Sequence, residues 1–272
     1  RNISKVVSPS PGVDRIVQLA PGEDASIQAV VGERMGALYG PGFVRVPDGP
    51  LKGMPIIGTN GRAQVTPTSI YLGNINPDWT AGITNRFSYK GVYLEFLFDI
   101  NHGGVMVSRF INKATGAGQL IETAGARLKH AAGDVYNTDY YRDGGVLQPD
   151  GSYARNLQIF DGSYSKGLIG TGPRDFYKRY YDHNSEQQLV DRSFVKLREV
   201  KIGYNLPKRI YARLPIQSIS FSLVGRNLAL FTKNNQFDPE TGASTGNGLV
   251  GGFENLSLPT TRSLGANLSI NF

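Results

Sequence analysis

The residues of this sequence that could support metal or acid–base chemistry are few and widely spaced. The chain has no cysteine, and its histidines are His102, His130 and His183. No histidine pair has the helix or hairpin spacing of a zinc site, so we predict no metal and no cofactor. Carboxylate pairs of the kind that glycosidases use occur as Asp134 with Asp139 and Asp182 with Glu186. They lie in Gly- and Asn-rich sequence without a rigid frame, so we predict no enzymatic activity.

A cluster of tyrosines beside an arginine is the leading candidate for ligand contact. It consists of Tyr136, Tyr140, Tyr141 and Arg142. Tyrosine offers a large amphipathic surface, and arginine adds several hydrogen-bond donors in a fixed geometry. The cluster would suit a sugar, a peptide or a partner protein, although a loop that packs on itself has the same composition. Nearby acids do not follow the order of an EF-hand calcium loop.

Composition indicates that strands, not helices, position these residues. The 272 residues include 34 Gly and 15 Pro, which disfavour a helix bundle, and 40% are hydrophobic, which argues against disorder. The net charge is +7, but the basic residues are scattered. Without a compact basic patch we predict no nucleic-acid partner. A soluble β domain and a membrane β-barrel both remain open at this point.

Period-two alternation predicts several long strands. Val92–Asn101 alternates over ten residues, Trp79–Tyr89 precedes it, and Lys90-Gly91 would close the two into a hairpin. The final strand, Arg262–Phe272, alternates apolar residues with small polar ones. Aromatic residues near strand ends would form interfacial girdles in a membrane barrel: Tyr89, Phe98, Phe194, Tyr204, Phe231 and Phe272.

Two further strands change phase midway. Ser193–Leu206 shifts its apolar parity near Arg198-Glu199, which predicts a β-bulge there. Ser218–Thr232 shifts at Gly225-Arg226-Asn227, and Pro207–Pro215 connects the two strands. Gly103–Arg192 has little clean periodicity, which is unusual for a compact soluble domain and expected of the outer loops of a barrel.

The run Asp191–Ile210, DRSFVKLREVKIGYNLPKRI, resembles a stretch near the C-terminus of SusC/RagA-type TonB-dependent outer-membrane transporters of Bacteroidota. Further matches follow the family's order along the chain. They are Val31–Gly36 with Tyr39-Gly40, Tyr71–Asn74 with Asn76–Trp79, Gly225–Leu228 with Phe231-Thr232 and Phe237–Glu240, and Pro259 with Arg262-Ser263 before a last strand that ends in Phe.

The resemblance implies an all-β fold, the C-terminal portion of an antiparallel transmembrane barrel of about 22 strands. Its plug and N-terminal domains would be absent from these 272 residues. Counting back from Phe272, residues 103–192 and 233–259 would be extracellular loops, and Pro207–Pro215 a periplasmic turn. Phe272 would serve as the signal that the barrel assembly machinery recognises.

The resemblance also implies a location in the outer membrane and import of oligosaccharides or peptides. Its partners would be a SusD-like surface lipoprotein, the remaining barrel and plug, and the TonB–ExbB–ExbD complex acting through that plug. Two alternatives stay open. The protein could be a SusC-like structural component of another outer-membrane complex, or a soluble β-sandwich that binds carbohydrate.

Overall fold

We describe the chain from a computed structural model. The described residues are 4–7, 10–19, 24–58, 63–117, 119–120, 144–156, 184–234, 236–240, 243–245, 248–256 and 258–272. Among them no helix combines the length and the apolar character needed to cross a bilayer.

The described elements are mostly strands. In chain order they are β1 Arg15–Leu19, β2 Ser26–Val30, β3 Ala37–Gly40, β4 Ile70–Asn74, β5 Trp79–Tyr89, β6 Val92–His102, β7 Val105–Ser108, α1 Arg109–Ala117, β8 Gly145–Leu147, β9 Tyr153–Arg155, β10 Leu189–Asp191, β11 Phe194–Asn205, β12 Ser218–Thr232, β13 Ala243–Thr245, β14 Gly248–Val250, β15 Phe253–Glu254 and β16 Ser263–Asn271. Short 3-10 helices span Glu186–Gln188 and Lys208–Ile210.

The longest strands form one antiparallel sheet in the order β16-β12-β11-β6-β5. The hairpin predicted at Lys90-Gly91 is confirmed, and Lys90 and Gly91 both have positive φ. The predicted bulge in β11 is confirmed as well, because the register shifts between Leu197 and Glu199 against both neighbouring strands. The expectation of an all-β fold with antiparallel sheets therefore holds.

One face of this sheet is apolar across all five strands. Cross-strand rows run from Tyr89 through Val92, Tyr204 and Phe221 to Leu268, and from Phe87 through Leu94, Ile202 and Leu223 to Ala266. The side chains on this face are largely uncovered, with Phe87 60% and Leu264 85% exposed. An apolar face of this extent needs another apolar phase or layer against it.

The opposite face is polar and charged. Its cross-strand neighbours include Arg86 beside Glu95 and Lys201, and Glu199 beside Arg226. Phe194 also lies on this face, opposite Asn101 and Thr232, because its parity is that of Lys196 and not of Val195. The expectation that Phe194 joins a lipid-facing girdle is therefore wrong.

The sheet has two different ends. One end, the turn end, carries Lys90-Gly91 and Pro207–Pro215, where Asn205 N donates to Gly91 O and Gln217 N donates to Asn271 O. The other end, the loop end, carries the long connections. There β1 to β4 form a second antiparallel sheet, and β7 pairs with β10 and, in parallel, with β15.

The loop end has its own hydrophobic core. Ala25, Leu38, Val107 and Phe253 are buried together, each at most 2% exposed, with Ile75 and Leu189 packed against them. The described part of 103–192 thus contains α1 and the short strands β7 to β10, where the sequence indicated irregular structure. These strands have three or four residues and β7 and β10 pair with each other across distant sequence, so alternation could not reveal them.

Candidate functional site

The predicted ligand-contact cluster, Tyr136, Tyr140, Tyr141 and Arg142, lies outside the described residues, as do His130 and His183. His102 stacks on Trp79, with ring centroids 5.1 Å apart. Glu186 pairs with Arg45 and accepts a hydrogen bond from Phe43 N, so it has a structural role. Within the described part of the chain, no three His, Asp or Glu side chains cluster as metal ligands would. Phe272 follows β16 and is 78% exposed.

The polar face of the large sheet carries a band of paired charges. Arg226 Nε lies 2.9 Å from Glu199 Oε2, and Arg86 lies 3.7 Å from Glu95. Tyr93 is 5% exposed beneath two cations, with the Arg86 guanidinium 4.4 Å and the Lys201 ammonium 5.9 Å from its ring centroid. This arrangement gives a polar wall with fixed donors and acceptors.

At the loop end this wall holds a compact ion-pair network, which we call the latch. It joins Lys196 and Arg198 of β11 to Asp238 and Glu240 of the segment after β12, and to Asp99 of β6. Lys196 Nζ lies 2.7 Å from Asp238 Oδ2 and 2.5 Å from Glu240 Oε2. Arg198 Nη2 lies 2.6 Å from Asp99 Oδ2, and Arg198 also pairs with Glu240.

The bulge in β11 adds Glu199 to the polar face beside this network. Lys196 and Glu199 are both on the polar face, opposite Asp99 and Leu97, and Arg198 is the extra residue between their register positions. In an unbulged strand, strict alternation from Lys196 would keep Arg198 on the polar face but place Glu199 on the apolar face. The bulge therefore brings Glu199 to the same side of the strand as Lys196 and Arg198.

Burial and hydrogen bonding set the acidity of the latch carboxylates. Burial opposes ionisation of Asp238, but hydrogen bonds from Lys196 and Thr260 outweigh it and lower the pKa of Asp238. Burial likewise opposes ionisation of Glu240, and hydrogen bonds from Arg198 and Lys196 lower its pKa. Both groups are therefore anionic near neutral pH, and the latch is closed there.

The segment Ile75–Asp78 leads into the start of β5 at Trp79 and contacts neighbouring segments of the loop end. Arg34 Nη1 lies 3.0 Å from Asp78 Oδ1, and Asn76 Nδ2 donates to Met35 O at 2.8 Å. Arg192 donates to Ile75 O at 2.9 Å and to Pro239 O at 3.3 Å, which links this segment to the latch.

The backbone conformation of Gly36 accounts for the glycine in the motif Val31–Gly36 with Tyr39-Gly40. Its φ is +89°, and a Cβ there would lie 2.6 Å from Asn76 Nδ2, so a larger residue would displace this contact. Tyr39, three residues on, donates to Glu33 Oε1 at 2.6 Å, and burial together with this hydrogen bond raises the pKa of Tyr39 to about 12.

A pocket of about 320 Å³ adjoins the latch. Its lining includes Asn227, Gln236, Phe237, Asp238, Thr260 and Arg262. It offers amide, hydroxyl, carboxylate and guanidinium groups beside one aromatic ring, and Leu230 and Pro259 add apolar surface. The sequence showed Asp238 and Glu240 only as motif positions; their contact with Lys196, 42 and 44 residues away, had no local signal.

Comparisons with known proteins agree with this architecture. No family model matches the chain. It is 24% identical over 206 residues to TonB-dependent receptor P39 of Formosa agariphila, covering 74% of this chain and 17% of that protein. It is 23% identical over 212 residues to TonB-dependent receptor P26 of the same organism, covering 76% of this chain and 18% of that protein. The chain thus spans less than a fifth of the length of these curated relatives.

Solved structures show the same fold. The RagAB peptide transporter aligns with a TM-score of 0.60 at 16% identity, over 98% of this chain and 25% of that chain. The RagAB peptide importer in its open-open state aligns with a TM-score of 0.55, over the same shares.

The chain is thus similar in sequence to TonB-dependent receptors of Bacteroidota and similar in fold to the RagAB transporter. The resemblance to SusC/RagA-type proteins that its motifs carry is confirmed. Proteins of this kind reside in the outer membrane, as predicted, and the relatives are receptors and importers rather than enzymes.

Proposed function

We propose that this chain forms part of the barrel wall of a TonB-dependent importer that carries oligosaccharides or peptides across the outer membrane. The apolar face of the large sheet contacts lipid, and the polar face lines the lumen. The observation that carries the proposal is the separation of these faces across five strands, with the apolar side chains uncovered. Strands of a membrane barrel alternate in this way because lipid and lumen lie on opposite sides of one sheet.

In this proposal the loop end is extracellular, and 103–192 and 233–259 contribute to the mouth of the lumen. The latch fixes Asp238 and Glu240 against the wall at that mouth. A SusD-like surface lipoprotein covers the loops, and TonB–ExbB–ExbD supplies energy through a plug. The RagAB structures are of a peptide importer, so peptides are the first substrates to test.

Uptake in a strain that lacks the gene tests the proposal. Cells complemented with the wild-type gene are offered labelled peptide pools and, separately, labelled oligosaccharide pools. We expect uptake of one pool to require the protein and to stop when a protonophore dissipates the proton gradient. Uptake of both pools that is independent of the protein would contradict the import function.

Uptake that is independent of the protein would favour a structural role in another outer-membrane complex, the alternative left open by the sequence. A soluble carbohydrate-binding sandwich is disfavoured on different grounds. In the described part of the chain no second sheet covers the apolar face, which a sandwich requires. Extraction distinguishes these classes, because a barrel protein needs detergent whereas a sandwich is released by buffer.

A further inference from the structure

The turn end of the large sheet concentrates positive charge without any acidic residue. Lys208, Arg209 and Arg213 lie in the connection between β11 and β12, and Lys90 lies in the β5–β6 turn beside them in the sheet. All four are exposed. The segments that build this end, 87–94, 200–222 and 263–272, contain no Asp or Glu. Within the described residues none of the four cations has an ion-pair partner, so their charge is available to an external anion.

Exposed apolar side chains stand among these cations. Ile210 is 64% and Leu214 55% exposed, in the same connection as Lys208, Arg209 and Arg213. The connection is held in shape by Tyr211, which is 6% exposed and whose hydroxyl donates toward Leu206 O at 3.3 Å. The turn therefore presents aliphatic and cationic groups from a fixed frame.

The apolar face of the sheet continues up to the turn end. Tyr89 is 72% and Phe272 78% exposed at the ends of β5 and β16, and Lys90 Nζ lies 5.2 Å from the Tyr89 ring centroid. Aromatic rings beside lysine and arginine are the groups that favour the boundary between acyl chains and headgroups. A surface that passes from apolar to aromatic and then to cationic matches the profile of an anionic lipid leaflet.

We propose that this turn, Lys208–Leu214 together with Lys90, is a docking surface for anionic phospholipid headgroups in the periplasmic leaflet. Ile210 and Leu214 insert toward the acyl chains, and the basic side chains contact the lipid phosphates. Basic residues at a membrane surface attract anionic lipids through charge, and each adds to the affinity. The inference rests on the membrane orientation given under the proposed function, not on the identity of the substrate.

Native mass spectrometry of the intact, delipidated protein in detergent tests the proposal, with phosphatidylglycerol and phosphatidylcholine of identical acyl chains as probes. We expect the wild type to retain phosphatidylglycerol preferentially. In the K208Q/R209Q/R213Q variant, the ratio of retained phosphatidylglycerol to retained phosphatidylcholine should fall by about tenfold or more. The matched control K5Q/K52Q/K113Q removes three exposed charges from the loop end and should keep it.

A second variant separates the apolar contribution from the charge. I210S/L214S should weaken the binding of both lipids and leave the preference for phosphatidylglycerol intact. Equal retention of the two lipids by the wild type would overturn the proposal, as would an unchanged preference in the K208Q/R209Q/R213Q variant. Full competition by glycerol phosphate would also overturn it, because the site would then bind a free phosphate instead of a lipid. Uptake measurements are independent of all these outcomes, so failure here leaves the import function standing.

Discussion

Replacing Lys196 by alanine should release the latch. The Lys196 and Asp238 side chains are each 3% exposed, so the substitution leaves a buried carboxylate without its cation. Breaking a buried pair from one side costs about 3–5 kcal/mol. Glu240 is 38% exposed, so the segment that carries Asp238 and Glu240 can move toward solvent, where the Asp238 carboxylate is hydrated instead of buried. We therefore expect a value near the lower limit, about 3 kcal/mol, expressed as opening of the loop and not as collapse of the sheet.

Hydrogen exchange of the backbone amides of residues 236–238 and 240 in the intact protein measures this opening. An opening free energy lowered by about 3 kcal/mol accelerates exchange by about a hundredfold. Lys233→Ala is the matched control, because Lys233 pairs with Asp191 nearby but its side chain is 78% exposed. Equal exchange in the Lys196 and Lys233 variants would refute the reasoning from burial.

The double variant K196M/D238N tests whether an unpaired buried charge causes the faster exchange expected in K196A. It removes the uncompensated charge while keeping much of the volume, so it should regain part of the protection lost in K196A. If K196M/D238N exchanged as fast as K196A, lost packing would be the cause, not an unpaired buried charge.

The remaining predictions concern pH, lipid contact, topology and assembly. Because the pKa values of the latch carboxylates are lowered from 3.8 and 4.5, the latch is stable above that range, and exchange of 236–240 should rise only as pH falls below about 4. Phe96→Arg should destabilise the barrel by roughly 2–4 kcal/mol, measured by loss of the heat-modifiable band, whereas Leu97→Arg on the polar face should be tolerated; equal effects would contradict the assigned faces. A cysteine at Ser152 should react with an impermeant maleimide on intact cells and one at Ala212 should not; the reverse pattern would invert the topology. Deleting Phe272 should lower outer-membrane levels several-fold without changing import per assembled copy, and unchanged levels would argue against its role as the assembly signal.

The long strands could be predicted from the sequence because apolar and polar residues alternate locally along each of them. The β5–β6 hairpin needed only period two and the Lys90-Gly91 turn, and the bulge in β11 showed as a change of parity near Arg198. The face assignment failed at Phe194, where residue type suggested lipid but parity placed the ring on the polar side.

The latch and the loop-end core were not accessible in the same way. Lys196 and Asp238 are 42 residues apart, and β7 pairs with β10 across more than 80 residues of chain. Such contacts depend on tertiary packing, and no local periodicity encodes them. The motif resemblance marked Asp238 and Glu240 without giving them a role, whereas the structure gives them a shared cation in Lys196.

Under the proposed function, the two faces of the large sheet meet different surroundings, lipid and lumen. Single cysteines along β6, introduced into a chain that has none, can each carry an environment-sensitive fluorophore in the reconstituted protein. Lipids with a quencher on the acyl chain should quench the probe at Leu94, Phe96 and Phe98 but not at Glu95, Leu97 and Asp99, which gives a period of two. Quenching that is uniform along β6, or absent from both sets, would contradict a barrel wall and with it the proposed transporter.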